Sequence, residues 1–266
     1  MKAFFNCLKN DLQKSIFSYG FILCIAVTFL LCFTSVIYTN TEGREFSAFE
    51  VLADRDNFKF VMFKSTQIMQ NSISPYLTMF LPILSALPYV SFFCSERLNG
   101  YLRFNITRCG KMQYYTSKFF SAIISGGLAI MLGYAAYGLV ICNQFPGDQI
   151  SFTEILKLIA GIGIYGMISV LPAFFLSSFI KNKYLICCFP FIFMHFYYTT
   201  ISRIQDSFIS KNDWQTVIKM GFLYPNGIIK IFFSENIYCL IYHVILAVVA
   251  YLCFVIIMNR RLDFGE

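Results

Sequence analysis

Two long uncharged apolar runs enclose a segment, 95–118, that carries Arg97, Arg103, Arg108, Lys111 and Lys118 against a single acid, Glu96. Guanidinium and ammonium groups gathered on one short connection bind polar or anionic surfaces, so their chemistry is docking and not turnover. No phosphate-cradling loop accompanies them. Gly110-Lys111 is followed by Met112 where such a loop needs Ser or Thr, and Asn105 stands where its first Gly belongs. The sequence also lacks a zinc-protease helix, a nucleophile elbow and a CxxC pair. The expectation is a protein that is not itself an enzyme, holds no cofactor or metal, and leaves any ATP hydrolysis to another chain.

Two further residues could do chemistry inside apolar surroundings. His195 and His243 fall within long hydrophobic runs, and an intramembrane His is a functional candidate by default. The plainer reading is that each hydrogen-bonds a neighbouring helix. No Asp, Glu, Lys or Arg shares those runs, which makes a proton relay thin. The single tryptophan, Trp214, lies in a segment that also holds Ile218, Phe222, Tyr224, Pro225 and Gly227. With the two histidines it is a candidate for a substrate path.

The elements that must position these groups follow from composition. Of 266 residues, 58% are hydrophobic and only 13% charged, about half the charged share of soluble domains, and the mean hydropathy is +0.64. This marks an all-α integral membrane protein. Uncharged runs long enough to cross a bilayer predict six spans, at about 19–38, 74–94, 119–142, 158–180, 184–202 and 237–258. Only Lys181-Asn182-Lys183 separates the fourth from the fifth, which implies a tight helical hairpin. The first run is too long for a signal-peptide core and no A-x-A site follows it, so it is expected to be retained.

Orientation follows from the basic residues. Segments 1–18, 95–118, 181–183 and 259–266 carry 12 Lys and Arg in 53 residues; the alternating segments carry 9 in 84. The denser set faces the cytoplasm, which predicts both termini inside. The net charge of +7 thus reads as a topology signal and not as a nucleic-acid patch. Residues 2–16 form an amphipathic pattern, with Phe4, Phe5, Leu8, Leu12 and Ile16 opposite Lys2, Asn6, Lys9, Gln13 and Lys14. That pattern predicts a helix lying in the membrane interface.

Smaller features refine the picture. Ser125, Ala129 and Gly133 recur every four residues on span three, and Gly161, Gly163 and Gly166 thin out span four. Such spacing lets helix backbones approach closely, within one subunit or at a dimer seam. Pro75, Pro82 and Pro88 favour kinks in span two. The outer segment 39–73 has room for a short external helix. Segment 203–236 suits a re-entrant or interfacial piece. Aromatic residues including Phe58, Phe60, Phe63, Tyr76, Tyr197, Tyr198, Phe222 and Tyr224 suit an outer-leaflet belt or a greasy exit path. Most of the ten cysteines lie inside apolar runs, so no disulfide framework is expected.

The string Ser95-Glu96-Arg97-Leu98-Asn99-Gly100, followed by Asn105-Ile106-Thr107-Arg108 and then by Tyr114 and Lys118, resembles the first cytoplasmic loop of type-2 permeases of bacterial ATP-binding-cassette exporters. In that family an acid followed four residues later by Gly opens the loop, a Leu-Thr-like step follows, and a Lys precedes span three. This chain keeps Glu96, Gly100, Thr107 and Lys118. It departs at Tyr101 and Arg103, where Thr and an acid are more usual, and at Cys109 after Arg108.

The resemblance implies that the loop forms a coupling helix seated in a groove of a cytoplasmic ATPase subunit, with Glu96, Arg97, Gly100, Arg103, Thr107, Arg108 and Lys118 as the coupling residues. It also implies pairing with a second permease subunit, same or related, in the bacterial plasma membrane. ATP would be bound by the partner ATPase. The family exports drugs, antimicrobial peptides, lipids, polysaccharides or ions. Two other classes stay open from the residues alone: a secondary transporter, and a non-transporting immunity or sensor component.

Overall fold

The computed structural model describes residues 2–39, 43–54, 64–145, 152–180, 182–210, 220–229, 231–233 and 237–263. Side chains at positions 2, 3, 75, 76, 102, 103, 220, 225, 226 and 261–263 fall outside that description. Trp214, Ile218, Phe58, Phe60 and Phe63 lie outside the described residues altogether.

Helix formation follows the apolar runs. The order is α1 (Lys2–Ile16), α2 (Tyr19–Phe33), strands β1 (Val36–Thr39) and β2 (Glu45–Ser47), α3 (Ala48–Ala53) and α4 (Ser65–Asn71). Then come α5 (Pro75–Ala86), α6 (Val90–Leu98), α7 (Tyr101–Cys109), α8 (Lys111–Gln144), α9 (Phe152–Ser169), α10 (Leu171–Leu176) and α11 (Lys183–Ile209). Two 3-10 turns, Met220–Leu223 and Pro225–Ile228, precede the last helix, α12 (Ile237–Asp263). Among the described residues, five spans are long and apolar enough to cross a membrane: Leu77–Leu98, Lys111–Gln144, Phe152–Leu176, Lys183–Ile209 and Ile237–Arg260. The pair α1 and α2, bent by 56°, makes a sixth if taken together. The protein is therefore an all-α membrane protein. The outward face of α12 exposes Ile241, Val244, Ile245, Val248, Val249, Leu252 and Ile256. A stripe of that kind is stable against lipid and not against water.

The first span is shorter than the apolar run suggested. Its helix ends at Phe33, and the β-branched stretch after Ser35 pairs antiparallel with β2. Ser18 caps the start of α2 by accepting from the Phe21 amide at 3.1 Å. Among its described residues, segment 39–73 holds two short helices, α3 and α4.

The long helix α8 is the spine. Its small residues face neighbours inside this chain. A methyl group at Gly133 would meet Ile25 O and Thr28 Cβ of α2, both at 2.8 Å, and one at Gly126 would meet the carbonyl of Ser85. Gly163 and Gly166 of α9 face Met131, Ile130 and Gly127. Cys24, Thr28 and Cys32, four residues apart on α2, are buried. The close-approach pattern thus serves packing within the subunit.

Span two is broken where Pro88 stands. α5 ends at Ala86 and α6 restarts at Val90. The Pro88 carbonyl accepts from Ser15 Oγ at 3.2 Å and Ser18 Oγ at 3.3 Å. Gly20, at the start of α2, lies against the Leu87 carbonyl. The elbow between α1 and α2 is thus fastened to the break, which satisfies a backbone group the kink had freed. At the opposite end, the two 3-10 turns bury Ile228 and Ile229 between α9 and α12. Gly161 admits the Ile229 backbone there, and Tyr197 donates to Leu223 O at 2.8 Å.

Candidate functional site

Segment 95–118 is almost entirely helical. α6 runs to Leu98, α7 covers Tyr101–Cys109, and α8 begins at Lys111. Only two corners separate them, and a glycine stands at each: Gly100 with φ +71° and Gly110 with φ +81°. A side chain at positive φ is strained, so glycine allows both corners to be sharp. Ile106 turns inward and is buried, while Leu98, Tyr101, Phe104, Thr107, Arg108 and Met112 are exposed. Phe104 is 70% exposed and Tyr101 59%. α7 is thus a short, two-faced helix that presents aromatic rings and a guanidinium outward. The Thr107 hydroxyl donates to Phe104 O at 2.8 Å, within its own helix. The side chain of Arg103 lies outside the described residues.

The expected coupling set divides. Arg97 points back into the protein and donates to the Ser177 carbonyl just after α10. That places a cation where the carbonyls of a helix C-terminus collect partial negative charge. Glu96 and Lys118 are not on the surface either. Lys118 Nζ sits 2.6 Å from Glu96 Oε2 and 2.8 Å from Asp11 Oδ1, with all three side chains buried. Tyr114 donates to Glu96 Oε2 at 3.1 Å, and Ser117 donates to Asp11 Oδ2 at 3.4 Å. The rings of Tyr114 and Tyr89 flank the ammonium at 4.8 and 5.7 Å. Three helices, α1, α6 and α8, meet in this knot. Two carboxylates share one ammonium, so the knot holds together only while Lys118 is present.

Asp11 was not singled out from the sequence, although a signal for it was there. It is the only acid among the first 41 residues, and Glu96 is the only acid between Asp56 and Asp148. An isolated acid in apolar surroundings needs a buried partner. α1 also approaches α7: the Sγ atoms of Cys7 and Cys109 meet, with Cα atoms 7.5 Å apart, wider than a relaxed disulfide spans. The pair is a sulfur contact that brings the N-terminal helix against the end of α7.

The two histidines are not brought together. His195 lies on an exposed part of α11, its ring near Phe196. His243 on α12 is buried and lines a cavity of about 400 Å³ between α9–α10, α11 and α12. Trp214, the third candidate on that path, is outside the described residues. Among the described residues no group of three or more His, Cys, Asp or Glu gathers to hold a metal ion. No family model, curated protein or solved structure matches the chain.

Proposed function

We propose that this chain is the membrane-spanning permease subunit of an ATP-binding-cassette exporter, moving an amphiphilic substrate outward with ATP hydrolysed by a separate subunit. The observation that carries this reading is α7: a short helix between spans two and three, set off by two positive-φ glycines, with Tyr101, Phe104 and Arg108 exposed. Exposed aromatic and Arg side chains are the residues that anchor protein interfaces. The likeness of 95–118 to the coupling loop of type-2 permeases supports the same reading, as do the apolar spans.

In this reading the chain sits in the bacterial plasma membrane with α7 and both termini on the cytoplasmic side, and a second permease subunit, same or related, completes the pathway. Closure of the ATPase pair on ATP pushes α7. The Lys118 knot joins α6 and α8 directly behind it, so the push reaches spans two and three as one body. ATP shifts the two states only by its difference in affinity for them, which it exerts through the partner.

The test is purification of the tagged chain from its native membrane in mild detergent, with identification of bound proteins and measurement of ATP turnover. Recovery of a soluble ATPase that is lost on reversal of Arg103 and Arg108 to Glu supports the reading. Retention of wild-type coupling in that double variant, or recovery of the chain with no nucleotide-binding partner, overturns it.

A further inference from the structure

We propose that α11 is the seam on which two copies of this chain pair, with their His195 side chains meeting across a two-fold axis. The proposed function leaves the second subunit as same or related. Naming it as a second copy rests on that reading, but the contact itself needs no ATPase and is tested without one.

Cys188, Ile192, His195, Thr199 and Ser202 follow one another at spacings of 4, 3, 4 and 3 residues. That alternation puts all five on one stripe of α11 and is the spacing of a left-handed helix pair. The stripe points away from the bundle: Cys188, Ile192, His195 and Ser202 are exposed, and Thr199 is half-buried. Cys188, Thr199 and Ser202 are small, which allows two backbones to approach closely.

His195 decides what covers the stripe. It lies twelve residues after Lys183, about 18 Å along the helix, in a hydrocarbon core about 30 Å thick. Its ring stands edge-on to Phe196 and has no hydrogen-bond partner among the described residues. An imidazole left unmatched against lipid tails is costly. Two copies in one membrane share one orientation, so their α11 helices run parallel, and a two-fold axis brings each residue of the stripe against its own counterpart. A neutral imidazole has one N–H donor and one bare acceptor, so two facing rings form an N–H···N bond that lipid tails cannot supply. Thr199 Oγ1 donates to His195 O at 2.8 Å and keeps lone pairs that can accept from the second ring. Towards the end of α11 the same face carries Arg203 and Asp206, both exposed and neither in an ion pair among the described residues. Parallel pairing brings the Arg203 of each copy within one turn of the Asp206 of the other, so charge complementarity selects the same partner.

The experiment uses the full-length protein, reconstituted alone in lipid vesicles. Oxidation with copper–phenanthroline should join two copies through Cys188. Cys188→Ser should abolish that product, and Ile192→Cys in the same background should restore it. Phe193→Cys, turned 100° round the helix, should not, although a maleimide labels it. Energy transfer between labelled copies, followed on dilution with lipid, should show dissociation about three- to tenfold easier in His195→Ala, the effect of one hydrogen bond within the membrane. His195→Asn, whose amide also donates and accepts, should recover part of the loss. No cross-link at Cys188, equal cross-linking at Phe193→Cys and Ile192→Cys, or unchanged dissociation in His195→Ala would each overturn the proposal.

Discussion

Lys118 and Glu96 stand 22 residues apart in the chain, on α8 and α6, and their charged atoms lie 2.6 Å apart in the buried end of the bundle. Between them the chain makes the whole excursion of α7. The ion pair therefore closes the base of a protruding helix, and Asp11 from α1 joins the same ammonium from the other side. The two carboxylates and one ammonium are not equivalent under mutation.

Lys118→Met leaves two buried carboxylates facing each other and is expected to cost about 3–5 kcal/mol. Asp11→Asn leaves a balanced pair of Lys118 and Glu96, and should cost much less. Thermal unfolding of both full-length variants in detergent checks this. Equal losses would show that the knot is not organised around Lys118.

The corners of α7 carry a backbone requirement and no packing requirement. At Gly100 and Gly110 an added methyl group meets nothing within 4 Å, yet φ is positive at both. Gly100→Ala should cost about 1–2 kcal/mol through its left-handed backbone alone, and Gly110→Ala, at φ +81° and ψ 144°, about 1–3 kcal/mol. Gly100→Asn should cost less than Gly100→Ala, because Asn tolerates that region. Denaturation of the three variants, ranked against the wild type, measures it.

The spine contact at Gly133 is a packing requirement. Gly133→Ala drives a methyl group into Ile25 O and Thr28 Cβ and should destabilise by about 1–3 kcal/mol. Gly221 has nothing within 4 Å and no positive φ, so Gly221→Ala should be close to neutral. A comparable loss at both positions would argue against close approach of α2 and α8.

One carboxylate outside the spans titrates in a readable way. Glu50 Oε2 accepts from the Ser47 amide at 2.8 Å and from Ser47 Oγ at 3.0 Å, and Ser47 Oγ accepts in turn from the Glu50 amide at 3.3 Å. This capping box starts α3. The Ser47 amide, chiefly, holds the Glu50 carboxyl below its ordinary value. A lowered pKa means that the box contributes fully above the ordinary glutamate value and is lost as pH falls through the lower one. Hydrogen exchange of α3 amides, corrected for intrinsic rate, should therefore rise on acidification below the ordinary glutamate range. Glu50→Gln should remove that dependence.

Much of the architecture could be read directly. The runs at 119–142 and 237–258 lie inside α8 and α12, because apolar length is a property of consecutive residues. The amphipathic stretch 2–16 coincides with α1, and Asn182 of the Lys-Asn-Lys break caps the start of α11. Span one was overread: the uncharged run continues past Phe33 through Val36, Ile37 and Tyr38, and the absence of charge does not distinguish a helix from the strand that β1 forms with β2. Arg97, Glu96 and Lys118 were grouped with Arg108 because the resemblance to a coupling loop covers all four positions. Arg97 instead turns to the carbonyl after α10, and the other two turn to each other.

By itself, the sequence determined the membrane class, the approximate positions of the spans, the glycines that allow α7 its two corners, and the lack of a nucleotide loop. Each of these depends on neighbours along the chain. Only the tertiary structure decided that Asp11 meets Lys118 across 107 residues, that Ser15 and Ser18 close the break at Pro88, and that His243 turns inward while His195 turns out. A helix has several faces, and which face becomes interior is set by what packs against it. That depends on contacts between segments far apart in sequence, which no local pattern encodes.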